Sequence, residues 1–501
     1  MSIEPIGIFF AIAGLYVIAV GLNVGAYVTA IAALLGAAAA VLLPSLGGSS
    51  IQPVHFMIPF LLAAILVRPR TLAASLSSLS YPGPGFWFML FTFYSILTAI
   101  FMPRLFAGAT VVYSLARVDD ARGILSAPLA PGSSNLTQSG YMLGSLACFA
   151  IFAAYGRMGG AAVVARALTL AGALCIFFAI ADVVTYQTNT TDLLSIIRNA
   201  NYRMLNDGEI QGFKRIVGSF PEAGAFGYVA LALFTFVLVL GLETFPSPLL
   251  APVAVALGIA LLLCTSTTAY VSSAATALMV LGFCVLRILR GGGTSRHLAY
   301  AVACVFALPL AIMALMLIPS VWDSITGLVH ATLTTKLTSQ SGEERMRWNA
   351  QAIEAFFDTS GMGAGLGSIR ASSFLVALLA NVGVPGTILF LIFLGSLVRS
   401  AMGQKRSRGS EAVVGMAGLL SCLAQISAAS ISASAVDLGP LFAITAGLAT
   451  AYGLGPLQAP AQPRALSRPF PLFDLQSGSL TWLADASEAD YLPLKGGGSH
   501  V

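Results

Sequence analysis

The chain has 501 residues, of which 57% are hydrophobic and only 9% are charged. A soluble protein of this length could not cover so much apolar surface with so few charges, so the composition predicts one polytopic membrane domain. The net charge of +5 is small and dispersed along the chain. It forms no basic stripe of the kind that nucleic acid requires, which excludes a nucleic-acid-binding protein.

The cysteines and histidines do not indicate a metal site. Each of the six cysteines lies in an apolar run and none forms a CxxC pair, a pattern typical of small buried hydrophobic residues. The four histidines have no metal-ligand spacing. We therefore expect neither a metal nor another cofactor.

Apolar stretches recur along almost the whole chain. A membrane-spanning helix needs about 20 mostly apolar residues, and about thirteen stretches qualify. They lie near residues 5–22, 24–43, 52–67, 84–102, 137–155, 161–185, 222–243, 248–266, 267–289, 298–319, 374–398, 411–433 and 436–455. We expect an all-α fold, a polytopic transmembrane helical bundle of about 12–14 spans, over residues 1–455.

Basic residues predict the orientation, because Lys and Arg in short loops favour the cytoplasmic side. "RILRGGGTSRH" (287–297) and the basic loop 398–411 are the clearest examples, and "VRPR" (67–70) agrees with them. The longest loops then face outward: 103–136, 186–221 and 320–373. The tail 456–501 is rich in Pro, Gly and Ser and has no periodicity, so we expect a disordered cytoplasmic segment.

Several cations lie in these outward loops, against the general bias. They are Arg198, Arg203, Lys214, Arg215, Lys336, Arg345, Arg347 and Arg370. Long loops tolerate charge, and neighbouring carboxylates could be ordinary partners. Two separate arginine clusters beside membrane-spanning segments nevertheless indicate a local function.

The first cluster lies in "GFKRIVGSFPEAGAFGYVALALF" (212–234). Pro221 fits the first position of a helix, and Glu222 would then lie in the first turn, where the helix dipole favours an anion. Glu222 is therefore either a helix-start carboxylate or a general acid or base at the membrane surface. Arg215 offers a planar fork that suits phosphate.

The second cluster lies in 341–386. Residues 343–357 have helical spacing with an apolar face, and Arg345 and Arg347 cannot share a face, so one could pair with a carboxylate while the other reaches a site. That apolar face comprises Met346, Ala350, Ile353 and Phe357. "GMGAGLGS" (361–368) follows, and its alternating glycines allow close approach to a ligand or a helix. Ser372 and Ser373 precede a span, where serine is typically an N-cap.

Together these features predict an outward cavity lined by arginines from two loops. An anionic, lipid-anchored ligand such as a polyprenyl diphosphate fits it, because arginine stabilises the charge that develops on a leaving group. A neighbouring carboxylate or His330 would deprotonate an attacking sugar hydroxyl. We expect Glu222, Arg215 and Arg345 to carry the chemistry. The expected substrate-binding residues are Lys214, Arg347, Arg370, Arg203, Ser372 and Ser373.

In these segments the chain resembles the bacterial O-antigen polymerase and O-antigen ligase superfamily. The resemblance rests on "RIVGSFPEAGAFG" leading into a span, on the late loop "ERMRWNAQAIEAFFDTSGMGAGLGS", and on "LLANVGVPG" in the following span. It covers roughly residues 80–450. It implies a GT-C-like fold and metal-independent, inverting glycosyl transfer from an undecaprenyl-diphosphate-linked saccharide. By position, Arg215 and either Arg345 or Arg347 look like the arginines that hold the diphosphate.

The chain departs from this family at one position. Ligases usually show His-Asn before the span that ends in "GxxG", and spacing puts Ser372 and Ser373 there. This favours a polymerase of exopolysaccharide or O-antigen repeat units over a ligase. The resemblance also implies the bacterial inner membrane, a site facing the periplasm, and a flippase and a chain-length regulator as partners. A transporter or flippase and a structural membrane protein remain alternatives. A transporter should carry charges near the bilayer midplane, on broken helices.

Overall fold

A computed structural model describes most of the chain. The described residues are 2–44, 49–113, 126–202, 204–206, 208–210, 212–318, 322–323, 326–327, 340–403, 409–454, 472–473 and 480–481. The chain divides into two compact units, Met1–Pro456 and Leu457–Val501. In the second unit the described residues are two short strands that pair antiparallel, Leu472–Phe473 with Leu480–Thr481. The rest of the predicted disordered tail lies outside the described residues.

The first unit is mostly helical, as the composition predicts, with a few short strands in addition. Up to the first arginine cluster the elements are β1 (Ser2–Ile3), α1 (Pro5–Val20), α2 (Leu22–Ala32), β2 (Val41–Leu43), β3 (Ser49–Ile51), α3 (Pro53–Leu66), α4 (Pro69–Ser77), α5 (Pro84–Leu105), β4 (Val111–Tyr113), β5 (Ser126–Pro128), α6 (Ser133–Tyr155), α7 (Ala161–Gln187), a 3₁₀ helix (Thr191–Ile197), β6 (Glu209–Ile210) and β7 (Phe213–Lys214).

Helices dominate the remainder of this unit. They are α8 (Ala223–Leu242), α9 (Leu250–Leu263), α10 (Thr267–Leu289), α11 (Ser295–Val302), α12 (Leu308–Met316), α13 (Gln340–Asp358), α14 (Phe374–Gly403), α15 (Ser410–Ser432) and α16 (Gly439–Leu454). Strands β1, β2 and β3 form one antiparallel sheet, whereas β4 pairs with β5 and β6 pairs with β7.

Seven helical segments of the described chain are long and apolar enough to cross a membrane, or eight if the bent pair Pro53–Leu66 and Pro69–Ser77 is one span. One of the seven is the 55-residue stretch Ser133–Gln187, which is kinked at Gly159. The structure therefore supports a multi-pass membrane protein. Four of the predicted spans are shorter apolar helices: Pro5–Val20, Leu22–Ala32, Leu250–Leu263 and Gly439–Ala451.

The predicted span 24–43 is wrong in its second half. Helix α2 ends at Ala32, and the run continues as turns into strand β2. This apolar segment is buried by protein: the Ala37 N–H donates to the Ser219 carbonyl at 2.9 Å, and the Ala37 carbonyl accepts from Ala200 N–H at 3.1 Å. A run of small apolar residues is equally compatible with a lipid-facing helix and with a buried loop, so its composition could not distinguish the two.

Aromatic packing joins three of the long helices at their centre. Phe88 of α5 stacks on Phe393 of α14 with ring centroids 4.8 Å apart, and Phe149 of α6 meets Phe393 edge-on at 6.1 Å. All three side chains are buried. Burying each ring contributes on the order of 2 kcal/mol, so this contact holds α5, α6 and α14 together beneath the loops that carry the arginines.

Candidate functional site

Glu222 lies immediately before helix α8. The sequence predicted that Pro221 begins this helix, which is wrong: the helix begins at Ala223, and Glu222 occupies the N-cap position with extended backbone angles. The Pro221 carbonyl accepts a hydrogen bond from Leu205 N–H at 2.8 Å, which holds Pro221 in the preceding loop. The Glu222 side chain makes no capping hydrogen bond. Its carboxylate is therefore not engaged by the helix that follows it.

Arg345 of α13 reaches this carboxylate. Its Nη2 lies 3.8 Å from Glu222 Oε2, and its Nη1 donates to Ser432 Oγ at 3.3 Å. Both charged side chains stay partly open to solvent, with 28% of the Arg345 side chain and 34% of the Glu222 side chain exposed. A pair this long and this exposed contributes little to stability. It leaves both groups accessible to a ligand.

Two further arginines lie in the field of Glu222. Burial lowers the pKa of Arg215, and the Glu222 carboxylate acts in the opposite direction while Arg345 adds to the lowering. Burial likewise lowers the pKa of Arg370, again opposed by Glu222. Glu222 thus acts on three guanidinium groups, of which Arg345 is paired with it at 3.8 Å, and the three cations outnumber the one carboxylate.

The Nε–H groups of Arg215 and Arg370 are both buried and have no hydrogen-bond partner among the described residues. A buried donor left unsatisfied costs about 1–3 kcal/mol. The Arg370 guanidinium also lies over the Trp348 ring, 5.3 Å from its centroid. These two arginines therefore keep hydrogen-bonding capacity that a bound anion would satisfy.

A small cavity opens between Arg215, Glu222 and Arg345. Its lining residues are Leu205, Arg215, Glu222, Gly224, Ser266, Thr267, Thr268, Ser341 and Arg345. Its volume is about 40 Å³, which is room for about three water molecules. That is the scale of a phosphate group and far below that of a saccharide, so a larger ligand would extend out of it.

Sequence reasoning missed one wall of this cavity, Ser266–Thr268. These residues begin helix α10, whose N-terminus carries the positive end of the helix dipole. Thr265, just before them, has φ of 46°, an unusual conformation for a β-branched residue, which separates α9 from α10. The sequence signal is "CTSTT" (264–268), a polar interruption where the predicted spans 248–266 and 267–289 meet.

Lys214 belongs to a different centre. Its Nζ lies 3.3 Å from Oδ1 of Asp182, which also accepts from Arg198 Nη2 at 2.6 Å. The Val217 and Gly218 N–H groups donate to Asp182 Oδ2 at 2.8 and 3.2 Å. The sequence analysis did not name Asp182, although a lone carboxylate inside the predicted span 161–185 was a signal. Asp182 therefore holds the chain on both sides of Arg215.

The other predicted residues are placed as follows. Arg347 points outward and pairs with Glu343 at 3.6 Å, as expected for two arginines that do not share a face. The Ser372 N–H donates to Asn349 Oδ1 at 2.7 Å, and the Ser373 carbonyl accepts from Ala377 N–H at the start of α14. These contacts serve the loop and the helix start. Arg203 and His330 lie outside the described residues.

The glycine-rich segment 361–367 holds Arg370 in place. Its four glycines have positive φ angles, and a Cβ on Gly365 or Gly367 would lie 2.7 Å from the carbonyl oxygens of Thr98 or Ser134. The segment packs against helices, one of the two uses that the sequence left open. Asn381 Oδ1 accepts from the N–H groups of Ser368 and Ile369, both at 3.1 Å.

Asp437 is a second carboxylate that the sequence analysis did not name. It lies in the short connection between α15 and α16, and burial raises its pKa to about 6, opposed by the Gly439 N–H. The Tyr228 hydroxyl of α8 donates to the neighbouring Leu438 carbonyl at 2.8 Å. Asp437 therefore lies next to a residue that contacts α8, the helix that follows Glu222.

No group of three or more His, Cys, Asp or Glu side chains that could hold a metal is found among the described residues. In comparisons with known proteins, no family model, no curated protein and no solved structure matches the chain. The geometry of the arginine cluster is thus the observation on which a function can be argued.

Proposed function

We propose that the protein is a membrane polysaccharide polymerase that joins polyprenyl-diphosphate-linked oligosaccharide repeat units on the outer face of a bacterial inner membrane. The observation that carries the proposal is the cluster of Arg215, Arg345 and Arg370 around Glu222, in which two buried Nε–H donors are unsatisfied. A diphosphate supplies the negative charge and the acceptor oxygens that this cluster needs.

In the proposed reaction a sugar hydroxyl of one chain attacks the anomeric carbon of the lipid-linked saccharide. The bond between that carbon and the diphosphate oxygen breaks, a new glycosidic bond forms with inversion, and the polyprenyl diphosphate leaves. Arg215 and Arg345 stabilise the charge that grows on the leaving oxygen. Glu222 accepts the proton of the attacking hydroxyl. This assignment needs no metal, in keeping with the resemblance to the O-antigen polymerase and ligase superfamily.

The geometry favours an enzyme site, in which substrate is held where loops meet helix starts, rather than a transport path through the bilayer. Glu222 is at the start of α8, Ser266–Thr268 are at the start of α10, and Arg215 and Arg370 lie in loops. A transporter for a lipid-linked or anionic solute, or a ligase that moves a finished glycan to another acceptor, are the alternatives. A flippase and a chain-length regulator would be the expected partner proteins of a polymerase.

The chain offers a matched pair of variants for the test. Arg345 lies at the cavity, whereas Arg347, on the same helix two residues away, is exposed and paired with Glu343. Arg345→Ala should abolish long polymer while the protein stays in the membrane, and Arg347→Ala should leave it unchanged. The measurement is the glycan profile of a deletion strain carrying each variant, together with the lipid-linked intermediates.

The intermediates distinguish the alternatives. Single repeat units that accumulate on the carrier, or are transferred unpolymerised, support the polymerase. Finished polymer retained on the carrier would indicate a ligase, and an unchanged profile in the deletion strain would remove glycosyl transfer altogether. Normal polymer length with Arg345→Ala would refute the assignment of the diphosphate site even if the deletion strain makes none.

A further inference from the structure

Helix α13 does not use its large apolar face to pack on the protein. The sequence placed Met346, Ile353 and Phe357 on one face, and the structure leaves them 50%, 47% and 70% exposed. The face toward the protein includes Ala352 and Ala355, which are fully buried, and Trp348, which lies under the Arg370 guanidinium. The helix therefore docks through another face and leaves Met346, Ile353 and Phe357 exposed.

The same helix has a third, charged face. Glu343 and Arg347 are four residues apart and pair with each other at 3.6 Å, with side chains 53% and 71% exposed. Glu354, also exposed, follows on the same side at helical spacing. The helix thus has three faces: one packs on the protein, one carries exposed charges, and one carries exposed large apolar side chains.

The contact at the C-terminal end of α13 relates this helix to the bilayer that α14 would cross. The Val384 N–H of α14 donates to the Gly361 carbonyl at 2.9 Å, just beyond the last turn of α13. Helix α14 is bent at Gly383, and residues 384–402 of this apolar span follow. Nineteen helical residues rise about 28 Å, close to the roughly 30 Å hydrocarbon core of a bilayer. A core of this thickness spanned by residues 384–402 would have Val384, and with it the end of α13, at its edge.

The exposed face of α14 beyond the bend is itself apolar. Val384, Ile388 and Leu391 are 44%, 50% and 56% exposed, as expected for a helix that faces lipid. The chain just beyond α13 lies against this surface, since a Cβ on Gly361 would lie 3.7 Å from Val384 Cγ2. An exposed apolar stripe next to a charged face, at this depth, is the pattern of a helix that lies in a membrane interface.

We infer that α13 lies on the outer surface of the lipid bilayer, with Met346, Ile353 and Phe357 inserted among the acyl chains. Arg345 lies on the side of this helix that faces Glu222, so insertion would hold its guanidinium at the depth of lipid phosphates. The inference rests on the faces of α13 and on the bend of α14. It does not require that the protein transfers a saccharide.

The test uses the full chain in lipid vesicles with single nitroxide labels. Cysteine is introduced at the apolar face as Ile353→Cys or Phe357→Cys, and at the charged face as Arg347→Cys or Glu354→Cys. The background carries Cys304→Ser, because Cys304 is half-exposed while the other five native cysteines are buried. Each label is probed by its collisions with oxygen, which concentrates in lipid, and with a water-soluble nickel chelate.

We expect oxygen to relax the labels at 353 and 357 more than nickel does, and the reverse at 347 and 354. Labels at 353 and 357 that respond mainly to nickel would place this face in water and overturn the inference. Shielding of these labels from both reagents would mean that protein covers the face, which would overturn it as well. Unchanged thermal unfolding of the labelled variants shows that the fold is kept.

Discussion

Two carboxylates lie at neighbouring places in this protein, and each has more than one cation near it. Asp182 is almost fully buried and accepts hydrogen bonds from Arg198 and from two backbone N–H groups, with Lys214 at 3.3 Å. Glu222 is one-third exposed, and its nearest cation is 3.8 Å away. The first centre is saturated and closed, whereas the second has unused donors and an opening. This contrast separates charges that build the loop from charges that are available to bind a ligand.

Removing the saturated carboxylate should have the largest effect. Asp182→Ala removes the carboxylate that pairs with two buried cations and accepts from two N–H groups, and removal of one partner of a buried pair typically costs about 3–5 kcal/mol. We expect a large loss of thermal stability in detergent and little protein in the membrane. If this variant unfolds at the wild-type temperature but loses activity, Asp182 serves the reaction and not the structure of the loop.

Glu222→Gln should lower activity strongly and change stability little, the opposite of Asp182→Ala. The side chain makes no capping hydrogen bond and its ion pair is exposed, so we expect a stability change within about 1 kcal/mol. Loss of a general base should lower the rate of glycosyl transfer by roughly 100-fold or more. The measurement is polymer formation from purified lipid-linked repeat units, beside a thermal unfolding curve. Near-normal turnover would mean that Glu222 only orients Arg345.

Substitution of Asp437, a third carboxylate, should have a smaller effect, on the pH dependence of stability. Burial raises its pKa to about 6 in the folded protein from the ordinary value of 3.8. The folded state then binds the proton more tightly than the unfolded state, so this group stabilises the protein below pH 4 and that contribution is lost as the pH rises through 6.

The expected result is a difference between two stability curves. Between pH 4 and pH 6 the unfolding temperature of wild type should fall relative to that of Asp437→Asn, because the amide cannot ionise. Parallel curves over this range would show that Asp437 titrates normally. Other carboxylates titrate in both proteins, so only the difference between the curves reports on Asp437.

The sequence predicted the helices of this protein better than its loops. Long apolar runs became helices because a chain in lipid must satisfy its backbone internally. The run 24–43 was mispredicted because protein, rather than lipid, covers its second half. The sequence also proposed Arg215, Arg345 and Glu222 as one group, and the structure brings them to one cavity because the Arg345 side chain reaches from α13 to Glu222.

Other features depended on contacts that a single sequence does not show. The role of Asp182 arises from residues 16 to 36 positions away, and the wall Ser266–Thr268 arises from a break between α9 and α10. The apolar face of α13 was recognised correctly, but its direction was not, since amphipathic spacing shows that a face exists without showing what it meets.

The glycine-rich segment has a mechanical consequence. Gly365 lies against the backbone of α5, Gly367 lies against the backbone of α6, and Asn381 ties the same segment to α14. Arg370 follows three residues after Gly367, so its backbone continues directly from a segment that contacts three apolar helices at once. A displacement of any of these helices within the bilayer, such as a change in membrane thickness would impose, must also displace Arg370.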